Sequence, residues 1–288
     1  MKKSILETIL EPKELSVCFQ PIFDIEGEAK RLDSVEALIR GPRDTNFARA
    51  DILFDYVRRK KAELAVDQSC FTAICRAATQ LPADVRINVN VHAVTLARGD
   101  VFIDFFRSHT QKRALAAERF TLEIVENGPA CNMEELTHTI TELRECGVRI
   151  ALDDVGLGQS NYQMMLDCDP DYFKIDSYFV RGVSNDPKRQ AVVQSLVTLA
   201  ESLDASLVAE GAASGEDLAQ LTKIGVYLAQ ANLLCPAMPL AELVKTGHLG
   251  ISRALAAAAG SGMEEIGPQG IEQHRSDLNM MAGTSIYT

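Results

Sequence analysis

Short runs of β-forming residues alternate with longer stretches of helical period along this chain, and this alternation limits the fold more than any other feature. Strands are predicted over 17–25, 32–39, 85–91, 120–125, 149–152, 172–175 and 206–209, with helical stretches between most of them. The first two are joined by IEGEAKR, too short for a crossover helix, so they are expected to pair as an antiparallel hairpin. Beyond them the alternation implies a parallel sheet, and this many units favour a closed barrel. An open doubly wound sheet is the competing arrangement, but no GxGxxG turn supports a dinucleotide fold. The expected fold is therefore an α/β, TIM-like (β/α)8 barrel with an antiparallel first strand. A chain of 288 residues accommodates the roughly 250 that such a barrel needs.

Several helix boundaries can be read locally. Asp186 followed by Pro187 is an N-cap with proline at the first helical position, and Val192, Leu196, Leu199 and Leu203 then form the predicted apolar stripe. Asn132 with Glu135, and Ser214 with Asp217, read as capping boxes, and Gly147 as a helix stop. The barrel is predicted to occupy 1–248. From Leu249 a short alanine-rich run gives way to glycine, serine and polar residues, so 249–288 is expected to be a tail, a short helix followed by disorder.

Bulk properties exclude some classes of function. The longest apolar runs fall short of the ~20 residues that cross a bilayer, and MKKSILETIL is interrupted by Glu7, unlike a signal peptide. No membrane partner and a cytoplasmic address are the expectations. A net charge of −11 argues against binding a DNA or RNA duplex. The seven cysteines are odd in number and lack a CxxC pair, and the five histidines lack HxH or HExxH spacing, so a thiolate or zinc centre is not expected.

The polar residues fall in a regular place. Glu36, Asn90, Glu123, Asp153 with Asp154, Lys174 with Asp176, and Glu210 each stand at or near the end of a predicted strand. In a (β/α) barrel those ends converge on one mouth. Two carboxylates ~4 Å apart repel by about 4 kcal/mol at an effective dielectric near 20, so a ring of them calls for cations. Hard oxygen donors without His or Cys point to Mg²⁺ or Mn²⁺. The adjacent Asp153 and Asp154 suit a bridge between two ions, the arrangement used for in-line attack on a phosphodiester. Taken singly each residue has a plainer reading: Asp176 as a helix cap, Glu126, Asn127 and Gly128 as a turn, Lys174 as a counter-charge. A glycosidase with two carboxylates would leave the asparagine, the lysine and the surplus acids unexplained.

In this order the motifs resemble the EAL-domain cyclic di-GMP phosphodiesterases, from about Phe19 to Pro239. FQPIFDI is similar to the family's opening strand, and VEALIR holds the triplet as Glu36, Ala37 and Leu38, followed by Arg40. INVNVHAVTL, LEIVEN, LDDVGLGQS, FKID and VAEG are similar to its later strands and loop. The resemblance implies hydrolysis of cyclic di-GMP to linear pGpG with two Mg²⁺ or Mn²⁺ ions. Glu36, Asn90, Glu123 and Asp153 would hold one ion, and Asp153, Asp154 and Glu210 the other. Lys174 would position the hydrolytic water, and Asp176, counted with Lys174, Glu210 and Asp154 among the catalytic residues, would be a nearby ligand or a partner of one. Gln20, Leu38, Arg40 and Gln230 would contact the dinucleotide, Arg40 at a phosphate. Family members often pair, so a homodimer is among the partners it implies.

The sequence also departs from the family pattern. Val155, Leu157 and Gln159 replace Phe, Thr and Tyr after the paired aspartates. Ala212 and Ala213 follow Gly211 where a valine and a loop-bracing glutamate are usual. The late QGY element reads Gln230, Ala231, Asn232, and His92 replaces a serine. The altered loop and brace keep a second expectation open: a weak or inactive domain that acts as a cyclic di-GMP receptor or scaffold. Retention of every expected ligand favours the hydrolase.

Overall fold

The structure is a computed structural model, and it describes residues 4–27, 29–125, 131–156 and 162–249. Its strands are β1 (Ser16–Asp24), β2 (Arg31–Arg40), β3 (Arg86–His92), β4 (Phe120–Val125), β5 (Arg149–Val155), β6 (Tyr172–Ile175), β7 (Ser206–Glu210), β8 (Leu228–Gln230) and β9 (Met238–Pro239). From β2 to β8 each strand pairs in parallel with the next, and β1 closes the ring by pairing antiparallel to both β2 and β8. The expected barrel and its opening hairpin are both present. The two-residue β9 lies antiparallel on β1, opposite Cys18 and Phe19.

Side-chain alternation sorts each strand into an apolar outer face and a polar inner one. On β4, Phe120 points outward and meets Phe71 and Phe106 of the surrounding helices at ring separations of 5.6 Å, while Glu123 points into the barrel. Val35, Ala37, Ile87, Val89, Phe173 and Ile175 are buried in the same way, each large one worth about 1.5–3 kcal/mol. Lower in the barrel, Arg86 donates to the Tyr172 hydroxyl at 2.7 Å and pairs with Asp33.

The helix Pro187–Ser202 starts as expected: the Asp186 side chain accepts from the backbone N–H of Lys188 and Arg189, and Pro187 occupies the first turn. Its apolar face corrects the predicted stripe. The buried residues are Val193, Leu196, Val197 and Ala200; Val192 is exposed, and Leu199 and Leu203 are only half-buried. Two interleaved apolar rows run along this helix, and packing on the barrel selected the row that carries smaller residues. Asn132 caps Met133–Glu145 by accepting from the N–H of Glu134 and Glu135, and Ser214 caps Gly215–Ile224 by accepting from the Asp217 N–H. The expectations for Glu126 to Gly128, Leu157, Gln159 and 250–288 lie outside the described residues.

Candidate functional site: an acidic barrel mouth around one lysine

Lys174 points inward from β6 and is 2% exposed. Its Nζ lies 2.6 Å from Glu210, 2.8 Å from Glu123, 3.2 Å from Asp153 and 3.4 Å from Glu36. Carboxylates from β2, β4, β5 and β7 thus meet around one ammonium group, as the strand-end pattern requires. Two amides complete the inner wall. Asn90 Nδ2 donates to Glu36 Oε1 at 2.7 Å, and Gln230 Nε2 donates to Glu36 Oε2 at 2.6 Å and to Gln20 Oε1 at 3.2 Å. Gln20 in turn donates to Asn232 Oδ1 and to the Cys235 carbonyl.

The two aspartates share a face because β5 is irregular where they stand. Leu152 pairs with Phe173 and Val155 with Ile175, so Asp153 and Asp154 together span the single rung of Lys174. Asp154 sits at φ +52°, the left-handed region that lets an extra residue turn without ending the strand. Carboxylate oxygens of Asp153, Asp154 and Glu210 lie within 4.8 Å of one another. After Glu210 the chain turns at Gly211, φ +67°, where a Cβ would stand 2.8 Å from the Ser177 Cβ.

Burial and crowding set the charges. Burial pushes the Glu210 carboxyl up to about 8, with the Asp153 and Glu36 charges adding to the rise and Lys174 opposing it. Burial, then the Glu36 charge, raises Glu123 well above the usual carboxylate range. Burial would raise Glu36 too, but Lys174 and the Gln230 and Asn90 amides outweigh it and hold that carboxyl low. For Lys174 burial works against the charge and is overcome by Asp153, Glu123, Glu210 and Glu36.

The donor set suits a hard divalent cation. Asn90 Oδ1 and Asp153 Oδ1 are buried and accept no hydrogen bond among the described residues; the 3.2 Å approach of Lys174 to the latter is an ion pair without hydrogen-bond alignment. Because Asn90 gives its amide hydrogens to a carboxylate, its carbonyl oxygen must be the free end. Buried oxygens of this kind are costly unless something takes their lone pairs, and every candidate ligand is oxygen.

The other predicted residues are placed as follows. Leu38 is buried and borders, with Asn90, Phe54 and Asp67, a narrow crevice beside β2 and β3. Arg40 ends β2, half-buried, its Nη1 donating to the Ile39 carbonyl. Asp176 is buried, and its Oδ1 accepts from the Tyr178 N–H at 2.6 Å and caps Ser177–Val180. His92 pairs with buried Asp67, Nδ1 to Oδ1 at 2.9 Å. One residue escaped the sequence reading. Asn88 donates to Glu123 Oε1 at 2.7 Å, and the Asn-x-Asn spacing of INVNV, two residues on one strand face, is the signal that would have found it.

Fold and site together define a closed (β/α) barrel with an acidic, amide-braced mouth. The chain belongs to the EAL domain family, whose model matches residues 3–237. Probable cyclic di-GMP phosphodiesterase PdeA of Escherichia coli is 28% identical over 244 residues, which are 82% of this chain and 32% of that protein. Cyclic di-GMP phosphodiesterase NbdA of Pseudomonas aeruginosa is 27% identical over 246 residues, 83% of this chain and 31% of that protein. The chain thus spans about a third of the length of these curated relatives. Klebsiella pneumoniae BlrP1, solved as a calcium and cyclic di-GMP complex, superposes with a TM-score of 0.69 at 24% identity, covering 83% of this chain and 58% of that one. Among the described residues no helix is long and apolar enough to cross a membrane.

Proposed function

We propose that this chain binds cyclic di-GMP at the barrel mouth and hydrolyses it to linear pGpG with two divalent ions, Mg²⁺ or Mn²⁺. The observation that carries the reading is the meeting of Glu36, Glu123, Asp153 and Glu210 around Lys174, beside an Asn90 carbonyl oxygen that accepts no hydrogen bond among the described residues. Glu36, Asn90, Glu123 and Asp153 would hold one ion, and Asp153, Asp154 and Glu210 the other. Bound ions would lower the pKa of a water and offset charge on the phosphodiester. Lys174, whose three N–H groups face Glu36, Glu123 and Glu210, would position that water with an N–H given up by a carboxylate that turns to a bound ion. Arg40 offers a planar fork to a phosphate, while Gln20, Gln230 and Leu38 line the approach to the site. One water is consumed and one of the two phosphodiester bonds opens. Asp176, by capping the turn after β6, would keep Lys174 in place. The names of PdeA and NbdA support this substrate. The scattered cysteines, without a CxxC pair, fit a cytoplasmic setting.

A receptor that binds without cutting is the second reading, and Ala213 favours it: this position is exposed and carries no carboxylate to brace a loop. The test is hydrolysis of cyclic di-GMP with Mg²⁺ or Mn²⁺ by the wild type, Glu36→Ala and Asp153→Asn. Appearance of pGpG that is lost in both variants is the expected result. Tight binding without linear product would replace the hydrolase by the receptor.

A further inference from the structure

We propose that Asn88 is a positioning residue for the metal site, fixing Glu123 in the orientation that serves a cation; the inference rests on the hydrolase reading. Asn88 is 5% exposed and Glu123 is fully buried, so the 2.7 Å bond from Asn88 Nδ2 to Glu123 Oε1 is sealed from water. The second oxygen, Oε2, meets Lys174 at 2.8 Å. Strand register explains the division of labour. Asn88 stands level with Glu36 on β2, and Asn90 level with Glu123 on β4. Each amide nevertheless bonds the carboxylate one step along, Asn88 to Glu123 and Asn90 to Glu36. Asn88, one step nearer the start of β3, therefore grips Glu123 from below by Oε1 and leaves Oε2 to the Lys174 cluster.

The chemistry of the donor matters as much as its place. A neutral amide orients a carboxylate without cancelling its charge, so the negative field that attracts a cation survives. A cationic residue at position 88 would compete with the metal, and an acid would repel Glu123. Outer partners that orient a metal-binding carboxylate typically change metal affinity by about 10–100-fold when removed.

The experiment measures Mn²⁺ affinity of the full chain by calorimetry and by electron paramagnetic resonance, with melting curves of metal-free and Mn²⁺-saturated protein. Asn88→Ala is expected to weaken Mn²⁺ binding about 10- to 100-fold and to shrink the Mn²⁺-induced rise in Tm. Asn88→Ser, which keeps a donor, should lose less than alanine, and Asn88→Asp should lose more. If Asn88→Ala does not fold, the order of Asn88→Ser and Asn88→Asp relative to wild type decides. Unchanged Mn²⁺ affinity in Asn88→Ala, or losses that merely follow the metal-free Tm, would overturn the inference while leaving the hydrolase intact. Absence of Mn²⁺ binding by the wild type, or wild-type affinity in Asp153→Asn, would overturn both.

Discussion

A lysine sealed among carboxylates keeps its charge because its neighbours demand it. Lys174 is surrounded by Glu36, Glu123, Asp153 and Glu210, and their attraction exceeds the cost of its burial. Without metal it is the cation that holds the mouth together. Removing one partner of a buried ionic cluster strands the rest, typically at about 3–5 kcal/mol. Lys174→Met should therefore lower the stability of the metal-free protein by that order in urea unfolding. The deficit should grow as pH rises toward the ordinary lysine range, because the acids lose their protons and repel one another, and saturating Mn²⁺ should recover part of it. A metal-free Lys174→Met protein as stable as wild type at mildly alkaline pH, below the unfolded lysine pKa near 10.4, would refute the role. The same crowding explains why the acids were legible in sequence and their bonding was not. Carboxylates at strand ends announce themselves, whereas the pairing of Asn88 with Glu123 and of Asn90 with Glu36 depends on register, which no local pattern reports.

Among the elements, β5 shows how a strand delivers two acids to one place. A regular strand would send Asp153 and Asp154 to opposite faces; the extra residue opposite Lys174, with Asp154 left-handed, brings both to the mouth. Glycine tolerates that backbone best, so Asp154→Gly should keep its Tm within a few degrees of wild type while losing Mn²⁺ affinity. A large fall in Tm would mean that the side chain, not the backbone, builds the irregularity. A second device joins the segments that follow β6 and β7. Asp217, almost wholly buried, accepts from the N–H of Gly182, Ser184 and Ala213 and from the Ser184 hydroxyl. Burial would raise its carboxyl, but these bonds prevail and hold it below the usual value. A depressed folded pKa stabilises above the unfolded value near 3.9 and is lost as pH falls through the folded one. Asp217→Ala should cost about 1–3 kcal/mol at neutral pH, and less in acid as the wild type loses its own advantage. Equal losses at neutral and acid pH would contradict this. Sequence had marked Asp217 only as half of a capping box, since its partners at 182 and 184 are distant along the chain. For Pro187–Ser202 it found the cap but not the buried face, because two apolar rows compete there and only the barrel surface chooses.

At the scale of the whole molecule the barrel depends on its shortest pieces. Seven strands were readable from β-forming runs, but β8 is three residues and β9 two, below what periodicity can register. Closure runs through both ends of the chain's core: β1 meets β8 at Phe23 and Asp24, and β9 covers β1 at Cys18 and Phe19. Beyond β9 the helix Leu240–Thr246 buries Leu243 completely, His248 sets its ring edgewise on Phe23 at 5.0 Å, and Leu249 is 6% exposed. The match to the family model stops at 237, before these contacts. The structural unit we propose therefore runs through Leu249, one residue past the boundary drawn from sequence. A chain ending at 249 should melt with the full chain and bind Mn²⁺ equally. One ending at 237 gives up β9 and the burial of Leu243 and Leu249, each leucine worth about 1.5–3 kcal/mol. At about 2–4 °C per kcal/mol for a domain of this size, its Tm should fall by roughly 6–24 °C. Calorimetry of the three lengths decides it. Equal melting of the 237 and 249 forms would move the boundary inward to β9, and a lower Tm for the 249 form than for the full chain would bring the tail into the fold.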